Sequence, residues 1–178
     1  MKAFLRIFCR TTFFWETDLL YKRLLITAAA GIFALSSAQA APLNCWDMAG
    51  KKFNIDPWLL LAIADVETGL TSRSFNKNSN GSYDLGLMQV NTIHLKELSK
   101  YGINGKHLLD NDCVGIYVAA MLLKRSTDKY GMNIDGIGGY HSGTPSKRRA
   151  YGRKVLRSYA NLVDKYYVRR QKFALRSK

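Results

Sequence analysis

From Asn44 onward the apolar positions recur mostly at helical spacing. The run from Pro57 to Thr68 (PWLLLAIADVET) is apolar nearly all round, which predicts a buried helix. Its ends are marked. Asp56 is a good N-cap, Pro57 suits the first helical position, Ile55 and Leu60 are spaced for a hydrophobic staple, and Gly69 supplies a stop. Upstream, Asn44 can cap a helix reaching about Phe53. The polar stretch from Ser72 to Ser82 breaks the helical period, and Asn80-Gly81 within it is the strongest turn signal, so a short hairpin is predicted there. Asn91-Thr92 opens a short helix toward Lys100, closed by Gly102. Asp110 or Asn111 opens a longer one whose apolar face is Cys113, Ile116, Tyr117, Ala120 and Leu123, ended by Gly131. Gly136 to Gly143 reads as a glycine-rich loop. A last helix from about Ser146 carries Tyr151, Val155, Tyr159, Leu162, Val163 and Tyr166. The expected fold class is mainly α with one small β-hairpin region.

The N-terminal part follows a different rule. Lys22 and Arg23 flank an uncharged run from Leu24 to Leu35 (LLITAAAGIFAL), and Ala38-Gln39-Ala40 has the small-x-small pattern of a signal-peptidase site. The run is short for a membrane span. These features predict a secretory leader over 1–40, cleaved after Ala40, a domain over 41–164, and a basic tail over 165–178. The predicted location is periplasmic or exported, with no stable membrane span after cleavage. Met1 to Tyr21 makes an unusually long leader start, which initiation near Leu19 or Leu20 would explain. Cleavage removes Cys9 and leaves Cys45 and Cys113, and two cysteines in an exported domain suggest one disulfide, the rival being two buried thiols. Neither cysteine has a neighbour at ligand spacing and His94, His107 and His141 are scattered, so no metal site is predicted.

Charge narrows the partners. Lys and Arg number 27 against 13 Asp and Glu, a net +14, which loss of the leader lowers by three. The excess favours anionic partners: nucleic acid, membrane headgroups or cell-wall polymers. Export and the lack of a nucleic-acid fold motif argue against nucleic acid. The tail KYYVRRQKFALRSK interleaves aromatics with cations, and reads either as a contact for an anionic polymer or partner protein or as a solvated helix end.

The candidate chemistry centres on Glu67. Leu60, Ile63, Ala64 and Glu67 follow i, i+3, i+4, i+7, so a carboxyl lies on an apolar stripe near a helix C-terminus. Burial and the helix dipole both raise its pKa. A glutamic acid still protonated near neutral pH is what a glycosidase needs to protonate a leaving sugar oxygen. Periodicity alone leaves open a glutamate at a frayed helix end. In NGSYDLGLMQVN (80–91), Gln89 and Asn91 are two apart and face one side of an extended segment, where paired amides can bind sugar hydroxyl and acetamido groups. Taken alone, that segment is equally a polar loop with a core methionine.

Taken in order, Glu67-Thr68-Gly69, Gly86-Leu87-Met88-Gln89 with Asn91, and Gly139-Tyr140-His141-Ser142-Gly143 resemble the soluble lytic transglycosylase domain, a branch of the lysozyme-like superfamily. The resemblance covers roughly Leu43 to Val163. It is closest to the small exported transglycosylases that accompany type III and type IV secretion, conjugation and type IV pilus systems. It implies a lysozyme-like α-helical fold and a substrate, peptidoglycan, cut at the β-1,4 bond between N-acetylmuramic acid and N-acetylglucosamine. Glu67 matches the catalytic glutamate. Met88, Gln89 and Asn91 belong to the motif that packs beneath the cleft and lines it, and Tyr140 matches a tyrosine near that glutamate. No cofactor is implied, and the implied partners are glycan strands and components of an envelope-spanning machine. Two departures stand out. Thr68 replaces a common serine and keeps the hydroxyl. His141 takes the place of an asparagine, as a substitute donor or a solvent-facing side chain. Asp84 also falls where animal-type lysozymes carry a second catalytic carboxylate. That keeps open a hydrolase, whose two carboxylates act together, beside a lyase that needs one. A cationic wall-binding protein without catalysis is the remaining alternative.

Overall fold

Asn44 begins the first element: its side chain accepts the Asp47 amide at 3.0 Å and starts α1 (Cys45–Phe53). The computed structural model describes residues 44–176, so the leader and its cleavage site lie outside the described residues. Asp56 caps α2 (Pro57–Thr68) through the Trp58 amide, with Pro57 in the first turn and Gly69 as the left-handed C-cap. Leu59, Leu60, Ala62, Ile63 and Ala64 are all buried, so α2 is the central helix that its composition predicts.

The polar stretch forms more than a hairpin. Strands β1 (Phe75–Lys77), β2 (Tyr83–Leu85) and β3 (Val90–Asn91) make an antiparallel sheet in that order. The turn at Asn80-Gly81 joins the first two, and β3 comes from the segment read as a motif. The register sets Asp84 opposite Asn76 on one side and Asn91 on the other. One-turn helices follow: a 3-10 turn at Thr92–His94, α3 (Leu95–Leu98) and a 3-10 turn at Ser99–Tyr101. Helix α4 (Gly105–Asp110), which no hydrophobic period announced, starts on a reciprocal cap between Asn104 and His107. Asn111 caps α5 (Asp112–Tyr130) through the Val114 amide.

The glycine-rich stretch is helical at its start and becomes the expected loop only from Gly139 to Gly143. Ile134–Gly138 is a short helix, α6, capped by Asn133 through two amides. Its glycines serve close packing: a Cβ on Gly138 would stand 1.9 Å from the Arg148 carbonyl oxygen on the next helix. That helix, α7 (Pro145–Arg176), crosses residue 164 without a break.

One core joins these elements. Leu60 and Ile63 of α2, Met88 and Val90 of the sheet region, Leu98, Leu108, Leu123 and Val155 are its largest fully buried side chains. Each contributes roughly 1.5–3 kcal/mol by leaving water. Cys45 and Cys113 form a disulfide that ties α1 to α5 across 68 residues, a closure worth about 4 kcal/mol in the chain-entropy account. No described helix is long and apolar enough to cross a membrane. The architecture is the mainly α, lysozyme-like one, with its small sheet beside the C-terminal end of α2.

Candidate active site

The C-terminal turn of α2 is fixed to the sheet region by one hydroxyl. Thr68 donates to its own helix at Ala64 O (3.1 Å) and to Leu87 O (3.0 Å). The Leu87 segment reaches that position because Gly86 turns with φ +73°, and a Cβ there would lie 1.9 Å from the Leu108 carbonyl oxygen. Next to this joint stands Glu67. Burial lifts its pKa from 4.5 to about 7, the charge of Asp84 adds to the rise, and a hydrogen bond from Tyr151 opposes it. The Tyr151 hydroxyl donates to Oε1 at 2.5 Å, which leaves Oε2 with no protein donor among the described residues. A carboxyl poised near neutral pH with one oxygen held and the other unengaged can give up a proton and take one back.

Asp84 has the opposite surroundings. Its Oδ1 accepts Asn91 Nδ2 at 2.7 Å and its Oδ2 accepts Asn78 Nδ2 at 2.9 Å. Ser82 accepts from both asparagines and donates to Asn80, so the hairpin itself orients the carboxylate. Asp84 acts electrostatically on Glu67, Tyr140 and His141, which places the four in one neighbourhood.

Tyr140 donates its hydroxyl to Met88 O at 2.7 Å, and its ring lies 6.5 Å from that of Tyr151. Burial, and then the charges of Glu67 and Asp84, push its phenol well above the ordinary range, so it stays a donor. His141 is exposed on its outer face and stacks on Tyr151 with centroids 4.6 Å apart and planes 4° from parallel. Burial lowers its pKa, against the pull of Asp84, and favours the neutral imidazole. Beyond this pair a groove of about 360 Å³ continues between Tyr140, His141, Ser142, His94, Arg125 and Tyr130.

Two expectations need correction. Met88 is fully buried, so its side chain supports the floor and cannot contact a sugar; only its carbonyl serves the site, through Tyr140. Gln89 and Asn91 are not paired on an extended face. Gln89 turns with φ +47° and its amide donates to Gly86 O at 2.9 Å. Asn91 is used internally, donating to Asp84 and Ser82 and accepting the Ile93 amide. The residue the sequence reading missed as a site member is Tyr151, placed there only on the apolar face of α7. A buried tyrosine needs a partner for its hydroxyl, and that requirement was the available signal.

Comparison with known proteins finds a family and several relatives. Residues 44–163 match the family described as transglycosylase SLT domain. The chain is 39% identical over 134 residues to invasion protein IagB of Salmonella typhi, covering 73% of this chain and 84% of that one. It is 36% identical over 126 residues to protein IpgF of Shigella flexneri, covering 71% and 80%. It is 33% identical over 132 residues to X polypeptide of Escherichia coli K12, covering 71% and 78%.

Proposed function

The chain belongs to the transglycosylase SLT domain family, and from that premise we propose that it is a lytic transglycosylase that cuts peptidoglycan between N-acetylmuramic acid and N-acetylglucosamine. The observation that carries the reading is the Glu67 carboxyl, lifted to about 7 by burial at the end of α2 and gripped on one oxygen by Tyr151. Oε2 delivers the proton to the glycosidic oxygen as the C1–O bond breaks. The positive charge that develops at C1 is met by the substrate's own acetamido oxygen and by the fixed negative charge of Asp84. Glu67, now a carboxylate stabilised by the Tyr151 hydroxyl, takes the proton from the 6-hydroxyl as that oxygen closes on C1. The product carries a 1,6-anhydro ring, the glutamic acid is restored, and no cofactor enters.

Asp84 is assigned an electrostatic role because both its oxygens already accept amide hydrogen bonds, which spreads its charge and fixes its orientation. A muramidase is the second reading, favoured by the coupling of Asp84 to Glu67. His141, whose exposed ring edge borders the groove, and Gln89 are the proposed sugar contacts. Export to an oxidising compartment is consistent with the disulfide. A role in opening the wall for a secretion, conjugation or pilus machine accords with relatives that include one named an invasion protein.

The test is digestion of purified peptidoglycan by the protein from Ala41 onward, beside Glu67→Gln, with released fragments weighed by mass spectrometry. Fragments lighter by one water than the hydrolysis products, and absent with the variant, are expected. Ordinary reducing ends would make the enzyme a hydrolase, and no release by either protein would favour a cationic wall-binding role.

A further inference from the structure

Helix α7 is the cationic spine of the molecule, with eleven Lys and Arg against the single acid Asp164. Its last anchor on the domain is Tyr166, whose ring lies 5.0 Å from that of Trp58 on α2. From Tyr167 to Phe173 every residue of the helix is exposed, as is Arg176, and the stretch from Tyr167 to Arg176 is about 15 Å long at 1.5 Å per residue. No acidic residue follows Asp164 in the sequence, and among the described residues none of Lys165, Arg169, Arg170, Lys172 and Arg176 forms an ion pair.

The cations have a pattern. Lys165, Arg169, Lys172 and Arg176 follow i, i+4, i+7, i+11, and at helical pitch they fall within about 60° of arc. Val168 and Phe173 flank this ridge, one on each side, and are 48% and 75% exposed. A straight basic ridge fits a flat anionic surface, and apolar side chains along its margins gain only where they can leave water. A hydrated polymer offers the charge without an apolar layer. An acidic protein groove calls for one apolar stripe along the helix, whereas Tyr167, Val168 and Phe173 point in three directions. We propose that the C-terminal end of α7 docks the protein on a bilayer surface containing anionic phospholipid, with the ridge on the phosphates and Val168 and Phe173 in the headgroup layer.

The test is sedimentation of the protein from Ala41 onward, free of the apolar leader, with vesicles of phosphatidylcholine alone or mixed with phosphatidylglycerol, at low and high salt. It reads no cleavage, so it stands or falls apart from the transglycosylase reading. Binding is expected on the mixed vesicles only, weakening as salt rises. Replacing Arg169 and Lys172 together by Gln removes two near-surface cations and is expected to weaken partition roughly 30-fold. Phe173→Ser is expected to weaken it several-fold at every salt concentration. Arg169, Lys172 and Phe173 are all exposed, so circular dichroism should be unchanged. Equal binding to neutral vesicles, or partition unaffected by Arg169→Gln with Lys172→Gln, would overturn the proposal. So would absence of vesicle binding together with salt-sensitive retention on an acidic protein or on peptidoglycan.

Discussion

Glu67 and Asp84 carry the same functional group within one neighbourhood, yet the chain treats them in opposite ways. Glu67 ends an apolar helix, with a single hydroxyl donor and a pKa raised to about 7. Asp84 sits on a polar three-stranded sheet, with an amide donor on each oxygen. The difference lies in what each element can offer a carboxyl. An apolar helix supplies burial and the negative end of a dipole, which favour the protonated acid. A hairpin rich in Asn and Ser supplies donors, which hold both carboxyl oxygens and fix their orientation. Division of labour between two carboxyls therefore follows from the composition of the segments that hold them.

The sharpest way to break this comparison is to remove the proton carrier. Glu67→Gln should lower the cleavage rate by about 10³-fold, within the usual span for a general acid/base, with the fold kept. Asp84→Asn should cost about 10²-fold, as loss of one fixed electrostatic partner does. Since Asp84 raises the Glu67 pKa, the alkaline limb of the pH–rate profile should move to lower pH. Tyr151→Phe removes a bond that lowers the same pKa, so that limb should move upward, with a rate loss of about tenfold, the size expected for a hydrogen bond to a charged group. Opposite displacements in the two variants would be hard to obtain from a merely structural disturbance.

Stability supplies a check that does not depend on cleavage. The folded-state pKa of Glu67 is about 7 against 4.5 ordinarily. Between those values the folded state holds a proton the unfolded state has released. Stability tied to this group is therefore complete below about pH 4.5 and is lost as pH rises through 7. Glu67→Gln, which stays neutral, should gain up to about 3 kcal/mol over the parent at pH 8 and nothing at pH 4. Thermal unfolding of both proteins at the two pH values measures the difference.

The helices were largely legible because their ends are chemically marked: Asn44, Asp56 and Asn111 each cap the helix that follows. Glu67 was legible because its neighbours repeat at helical spacing. What stayed hidden depends on contacts between distant residues. Tyr151 meets Glu67 across 84 positions, and no local period announces that meeting. The last turn of α6, Gly136 to Gly138, was taken for loop because glycine is a poor helix former in isolation; here Gly138 is demanded by the Arg148 carbonyl packed against it. Gln89 was expected in an extended strand, but the turn set by Gly86 carries it into a left-handed conformation.

The central claim is that burial, with a contribution from the neighbouring Asp84, leaves Glu67 protonated near neutral pH. Titration of carbon-13-labelled side-chain carboxyls by nuclear magnetic resonance, with Glu67 identified by its absence in Glu67→Gln, tests it directly. A Glu67 midpoint of about 7 that falls in Asp84→Asn is the expected result. A midpoint at the ordinary 4.5, unmoved by that substitution, would contradict the account.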